Sequence, residues 1–149
     1  MRLETDEVAP GLVAWLDQAM LTDDARVTET ARQSSTDIRP FVCFAAEGAS
    51  SSWAPLTSQF RRERLEIQVP WRSGGLLPAW RSEPQYLVDG ATVYIGANEA
   101  FLDASHGEQS TRTNRAQVSA DAVAAIASEV ARQEGRREVP VRPAEDAGA

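Results

Sequence analysis

The chain has 149 residues, 42% of them hydrophobic, and a net charge of −7, the size and apolar content of one domain that buries a real core. One cysteine, Cys43, and one histidine, His106, exclude an internal disulfide framework and a His/Cys zinc site. No stretch approaches the roughly 20 consecutive apolar residues of a membrane span. The acidic N-terminus MRLETDEVAP also lacks the basic-then-apolar order of a signal peptide, so the cytoplasm is the expected location.

In chain order, Pro10 can open a helix whose Leu12, Trp15, Leu16, Ala19 and Met20 follow the 3.6-residue period. Thr22-Asp23-Asp24 reads as the cap of a second, weaker helix to about Gln33, and residues 33–36 as a polar connector. The period then changes. Phe41-Val42-Cys43-Phe44-Ala45 is an apolar run of strand length, expected to be buried on both faces. After a Gly/Ser loop, Trp53-Ala54-Pro55-Leu56-Thr57 predicts a second strand. Leu65, Ile67 and Val69 alternate with Glu66 and Gln68, the pattern of a half-buried strand. Residues 71–84 form a long loop punctuated by Gly74-Gly75. Residues 86–88 and 92–95 flank Asp89-Gly90-Ala91 as a predicted hairpin, and Phe101 and Leu102 are expected to close the sheet. The last helix is capped by Ser119, buries Val123, Ile126, Ala127 and Val130, and has Gly135 as its stop. Residues 136–149 have the composition of a disordered tail.

These elements predict an α+β fold in a single domain over residues 1–135. A helical extension (1–35) and a C-terminal helix (119–134) flank a small curled antiparallel sheet or barrel (38–105).

Few residues offer chemistry. There is no Gly-x-Ser-x-Gly elbow and no phosphate-cradling loop, and His106 lies in a turn-like Ala-Ser-His-Gly-Glu segment. Cys43 sits in the most apolar strand, where a thiol behaves as a small hydrophobe. All 15 basic residues are arginine, a side chain suited to bidentate phosphate contacts, although a GC-rich coding sequence has the same result. Charge is uneven: residues 1–35 carry three basic and seven acidic side chains, residues 36–115 eight and nine. The near-neutral middle holds the only dense basic segment, Arg61-Arg62-Glu63-Arg64. Trp71-Arg72 and Trp80-Arg81 bracket the long loop as arginine-flanked aromatics that could stack nucleobases; the alternative is that both tryptophans pin the loop to the core.

Arg39-Pro40-Phe41-Val42 heads one apolar strand and Pro55-Leu56-Thr57-Ser58 ends the next. In these two motifs residues 38–105 resemble the MazF/PemK-like toxin family. The resemblance implies a curled SH3-like barrel, often dimeric, that cuts single-stranded RNA without a metal or other cofactor and is neutralised by an antitoxin. It places the family's catalytic arginine and threonine at Arg39 and Thr57, with Ser58 as an auxiliary hydroxyl. Arg61, Arg62, Arg64, Trp71, Arg72, Trp80 and Arg81 are then the candidate RNA contacts. The family usually opens with a Gly-Asp-containing strand a short way before its Arg-Pro pair, whereas the corresponding region here reads as helical. Competing readings are a non-catalytic protein-interaction module on the same barrel, which the net acidity favours, and an inhibitor whose acidic helices mimic a nucleic-acid backbone. In these, Arg39 pairs with Asp37 and Thr57 starts a turn.

Overall fold

The computed structural model describes residues 2–31, 37–106 and 111–146, with side chains as far as residue 134. The expected connector at 33–36 lies outside them. In chain order the elements are β1 (Val13–Asp17), α1 (Gln18–Asp23), β2 (Val27–Glu29), β3 (Ile38–Glu47), β4 (Ser50–Thr57), β5 (Arg72–Ser73), α2 (Pro78–Ser82), β6 (Tyr86–Leu87), β7 (Tyr94–Ala97), α3 (Asn98–Asp103), β8 (Gln117–Val118) and α4 (Ala120–Asp146). A six-stranded antiparallel sheet runs β1-β3-β4-β7-β2, with β6 added to the end of β4, and β5 pairs with β8 in a separate ribbon. The fold is α+β around a small curled sheet. Of the two forms expected, a curled sheet or a barrel, it is the curled sheet: among the described residues β1 and β2 end the strand order without pairing with each other.

Side-chain alternation along the strands produces two cores, one on each face of this sheet. Val13, Val42, Ala54, Leu56 and Val93 point to one face, where Ala122, Ile126 and Val130 of α4 cover them. Leu12, Ala14, Leu16, Phe41, Cys43, Trp53 and Tyr94 point to the other, under Leu21 of α1 and Phe101 and Leu102 of α3. Phe101 and Leu102 therefore close a core layer from a helix and do not extend the sheet. Trp53 lies against Phe101 with ring centroids 5.4 Å apart, and Phe41 meets Tyr94 edge to face at the same distance.

The expected N-terminal helices are replaced by β1, the six-residue α1 and β2. Leu12, Trp15 and Leu16 fit a helical period, but with Val13 and Ala14 also apolar the segment equally suits a strand buried on both faces. The backbone decides it. On one side β1 pairs with β3 from Val13↔Val42 to Asp17↔Ile38; on the other, Val13 N donates to Ala116 O and Asp17 N to Ala104 O. Gly11 leads into β1 at φ +103°, and a Cβ there would come within 2.9 Å of the Val118 carbonyl oxygen.

The predicted hairpin at 86–95 also differs. Asp89 does turn the chain, its Oδ1 accepting from Ala91 N and Thr92 N. However, β6 and β7 both pair with β4, β6 at Leu56–Thr57 and β7 at Ser50–Trp53. Gly90 serves packing here, since a Cβ would meet the Glu129 carbonyl oxygen and lie 2.7 Å from Gln133 Cγ on α4. Leu65 and Ile67 face the core as expected. Their segment touches β6 through the Glu66↔Tyr86 bridge alone, and Val69 turns out to solvent in a 3-10 turn with Pro70.

Ser119 caps α4, accepting from Ala122 N, and Val123, Ile126 and Val130 pack as predicted, while Ala127 is exposed. The helix continues past Gly135 to Asp146; a glycine inside a helix costs only about 1 kcal/mol relative to alanine and does not by itself end one. Among the described residues no helix is long and apolar enough to cross a membrane.

Candidate functional site

Because β3 and β4 are antiparallel, the beginning of β3 and the end of β4 meet at one margin of the sheet. The ladder pairs Phe41 with Pro55. Arg39 and Thr57 each lie two residues beyond this last pair, at the same margin. Between and beyond them lies an open groove of about 550 Å³ whose walls include Arg39, Thr57, Ser58, Gln59, Arg64 and Gln85. The two short motifs thus come together in space, and Arg64 joins them from the following loop.

The Arg39 side chain is 21% exposed and its Nη2 donates to Asp37 Oδ2 at 3.3 Å. Asp37 is 73% exposed, and such an ion pair contributes little in water. Thr57 Oγ1 accepts from Gln59 N at 3.2 Å, the local turn foreseen for Thr-Ser-Gln; as the acceptor in that bond, the hydroxyl keeps its hydrogen to donate. Ser58 is exposed beside it. Thr57 is held from the other side by its pairing with Tyr86.

Arg64 is fixed by two carbonyls, Nε donating to Val88 O and Nη1 to Gln59 O, both at 2.9 Å. Its pKa lies below the ordinary arginine value, first because burial penalises the charge, then because Arg61 and Arg39 repel it, with Asp89 acting in the opposite sense. A guanidinium so shifted still carries its charge at neutral pH. Arg39 and Arg64 thus bring two positive charges to one groove, against the single negative charge of Asp37, which also lines it and pairs with Arg39; the net excess is positive and suits an anion.

A second groove of about 420 Å³ adjoins the first through Arg64 and Val88 and runs between the 61–65 loop and α4. Arg61, Arg62 and Arg132 line it together with Glu63, Asp89 and Glu129. Arg132 is paired with Glu129. Among the described residues, Arg61, Arg62 and Arg64 have no ion-pair partner.

The other four candidates are placed elsewhere. Trp80 is 1% exposed, donates Nε1–H to Ser73 O at 3.1 Å and meets Trp15 edge to face. Arg72 is buried over the Trp80 ring, with Nε and Nη2 on Ile67 O and Nη1 on Trp80 O and Glu83 O. Neither offers a surface to a ligand: the loop-pinning alternative describes them, because a core can satisfy a guanidinium with carbonyls as fully as water can. Trp71 is half-buried against the α4-side core, and exposed Arg81 reaches Gly74 O; neither lines the two grooves.

Phe60, Gln85 and Arg132 were not visible as site residues in the sequence. Phe60 is 70% exposed next to Gln59 and Arg61, its ring 5.8 Å from that of Tyr86. An aromatic outside any periodic run was the one signal available for it. Cys43 is sealed in the sheet, where burial pushes its thiol up to about 11, and it accordingly has no nucleophilic role at neutral pH. His106 is exposed, with its backbone N–H on Trp15 O. Among the described residues no group of three or more His, Cys, Asp or Glu side chains is placed to hold a metal ion.

No protein-family model, no curated protein and no solved structure matches the chain.

Proposed function

We propose that the chain is a toxin-like endoribonuclease of the MazF/PemK kind, acting in the cytoplasm on single-stranded RNA without a metal and held in check by an antitoxin that covers the same groove. The observation that carries this reading is the meeting of Arg39, Thr57 and Ser58 with Arg64 along one open groove. The strand β1 lies upstream of the Arg-Pro pair and pairs with it, Leu16 with Arg39 and Trp15 with Pro40, an opening strand such as that family has, although α1 and β2 intervene and β1 lacks the family's Gly-Asp.

The chemistry follows from the residue types. The RNA's 2′-oxygen attacks the adjacent phosphorus and the P–O5′ bond breaks, leaving a 2′,3′-cyclic phosphate and a 5′-hydroxyl. The 2′-hydroxyl proton leaves to solvent and one reaches the departing O5′. Negative charge rises on the non-bridging oxygens in between. The Arg39 fork meets that charge with parallel N–H donors, and the Thr57 and Ser58 hydroxyls add hydrogen bonds that strengthen as it develops. Arginine remains protonated throughout, so its contribution is electrostatic and not proton transfer. Arg61 and Arg62 in the second groove hold neighbouring phosphates, a local reversal of the chain's overall acidity.

Incubation of the purified protein with a long single-stranded RNA in EDTA tests the reading. Fragments ending in a 2′,3′-cyclic phosphate are expected. An intact RNA beside a well-folded protein would overturn it in favour of the protein-interaction module.

A further inference from the structure

Of the large hydrophobic side chains left exposed among the described residues, Phe60 is the most open, at 70%. Single exposed apolar residues are ordinary on protein surfaces; the placement of this one is not random. Its ring stands edge to face on Tyr86, with centroids 5.8 Å apart and planes at 70°. Tyr86 in turn is anchored twice, paired with Thr57 on one side and bridged to Glu66 on the other. The Phe60 ring is thus braced by the strand neighbour of Thr57 and otherwise largely open to solvent. In sequence it falls between Gln59, which lines the first groove, and Arg61 and Arg62, which line the second. Phe60 lines neither groove itself, but Arg64, which the two grooves share with Val88, donates to Gln59 O one residue away, so the ring stands beside the place where a polyanion would pass from one groove to the other.

We infer that Phe60, braced by Tyr86, is a stacking shelf for a nucleobase of single-stranded RNA, next to the phosphate that lies between Arg39 and Thr57. The inference rests on the ribonuclease reading and adds to it the contact that distinguishes a polynucleotide from a plain polyanion. Arginines alone bind any phosphate chain, whereas an aromatic face gains only from a base. Such stacking tolerates every base, so the shelf contributes affinity and register and leaves sequence preference to other contacts.

The test is equilibrium binding of a short single-stranded RNA whose 2′-hydroxyls are methylated, which removes the nucleophile and prevents cleavage. An abasic oligomer of equal length serves as the second ligand. Phe60→Ala should bind the RNA roughly tenfold more weakly than wild type, the loss expected for one stacked base, and bind the abasic oligomer equally well. Phe60→Trp should restore RNA binding or tighten it. Unchanged melting of both variants shows that the surface substitution leaves the fold intact. If Phe60→Ala binds RNA as well as wild type, or weakens on both ligands alike, the shelf is wrong while the ribonuclease reading stands on its cleavage. If the wild-type protein neither binds nor cleaves RNA, both fall together.

Discussion

Arg72 lies over the indole of Trp80, its guanidinium carbon 5.7 Å from the ring centroid, and directs its donors to the carbonyls of Ile67, Trp80 and Glu83. This pair holds residues 72–82, expected as loop but carrying β5 and α2, against the α4-side core. Arg72→Ala would leave those buried carbonyls unsatisfied, and a loss of about 3 kcal/mol in unfolding free energy is expected, measured by denaturant titration. RNA binding by the folded fraction should be unchanged. A stable Arg72→Ala protein that binds RNA poorly would return Arg72 to the interface.

Glu7 and Arg115 form a nearly sealed ion pair, 2.8 Å from Nε to Oε2 and 3.0 Å from Nη2 to Oε1, which ties the N-terminal turn to the segment before β8. The hydrogen bonds from Arg115 hold the Glu7 carboxyl below its ordinary 4.5 against the opposing effect of burial. A folded-state pKa below the unfolded one means that the stabilisation is fully present above about pH 4.5 and is lost as pH falls through the lower, folded value. Melting temperature should accordingly drop on acidification. In Glu7→Gln this acid-dependent part should be absent and stability at neutral pH lower by about 3 kcal/mol, because Arg115 loses its buried partner. Equal acid sensitivity in variant and wild type would contradict the assignment.

Gly90 is where the turn after β6 presses on α4. Gly90→Ala pushes a methyl group into the Glu129 carbonyl and Gln133 Cγ, and should destabilise the fold by about 2 kcal/mol as the helix shifts. A turn glycine chosen only for backbone freedom would lose less. Calorimetric melting separates the two.

How much of this could be read from the chain varies with the kind of signal. The β3 and β4 strands were legible because an apolar run of five residues is too short for a core helix and is bounded by a Gly/Ser turn. The strand β1 was not, since an apolar stretch that feeds two cores satisfies the helical and the extended period alike. Asp89-Gly90 carried a true turn but a false pairing: its glycine answers to α4, a contact no local pattern contains. In the site, Arg39, Thr57, Ser58 and Arg64 were accessible through two motifs and a basic cluster that share one strand margin. Trp80 and Arg72 were not distinguishable from a surface platform, because adjacent aromatic and arginine residues read alike whether the guanidinium bonds to water or to carbonyls. Phe60 and Gln85 gained meaning only when β6 paired with the end of β4.

The most direct test of the central claim is RNA cleavage by Arg39→Ala, measured beside its thermal unfolding. A rate at least about a hundredfold lower is expected, the scale for removing one donor that stabilises developing charge, with cooperative melting retained because Asp37, the acid paired with Arg39, is 73% exposed and such a pair contributes little in water. Cleavage at the wild-type rate, or a loss of cleavage that merely follows a loss of fold, would contradict it.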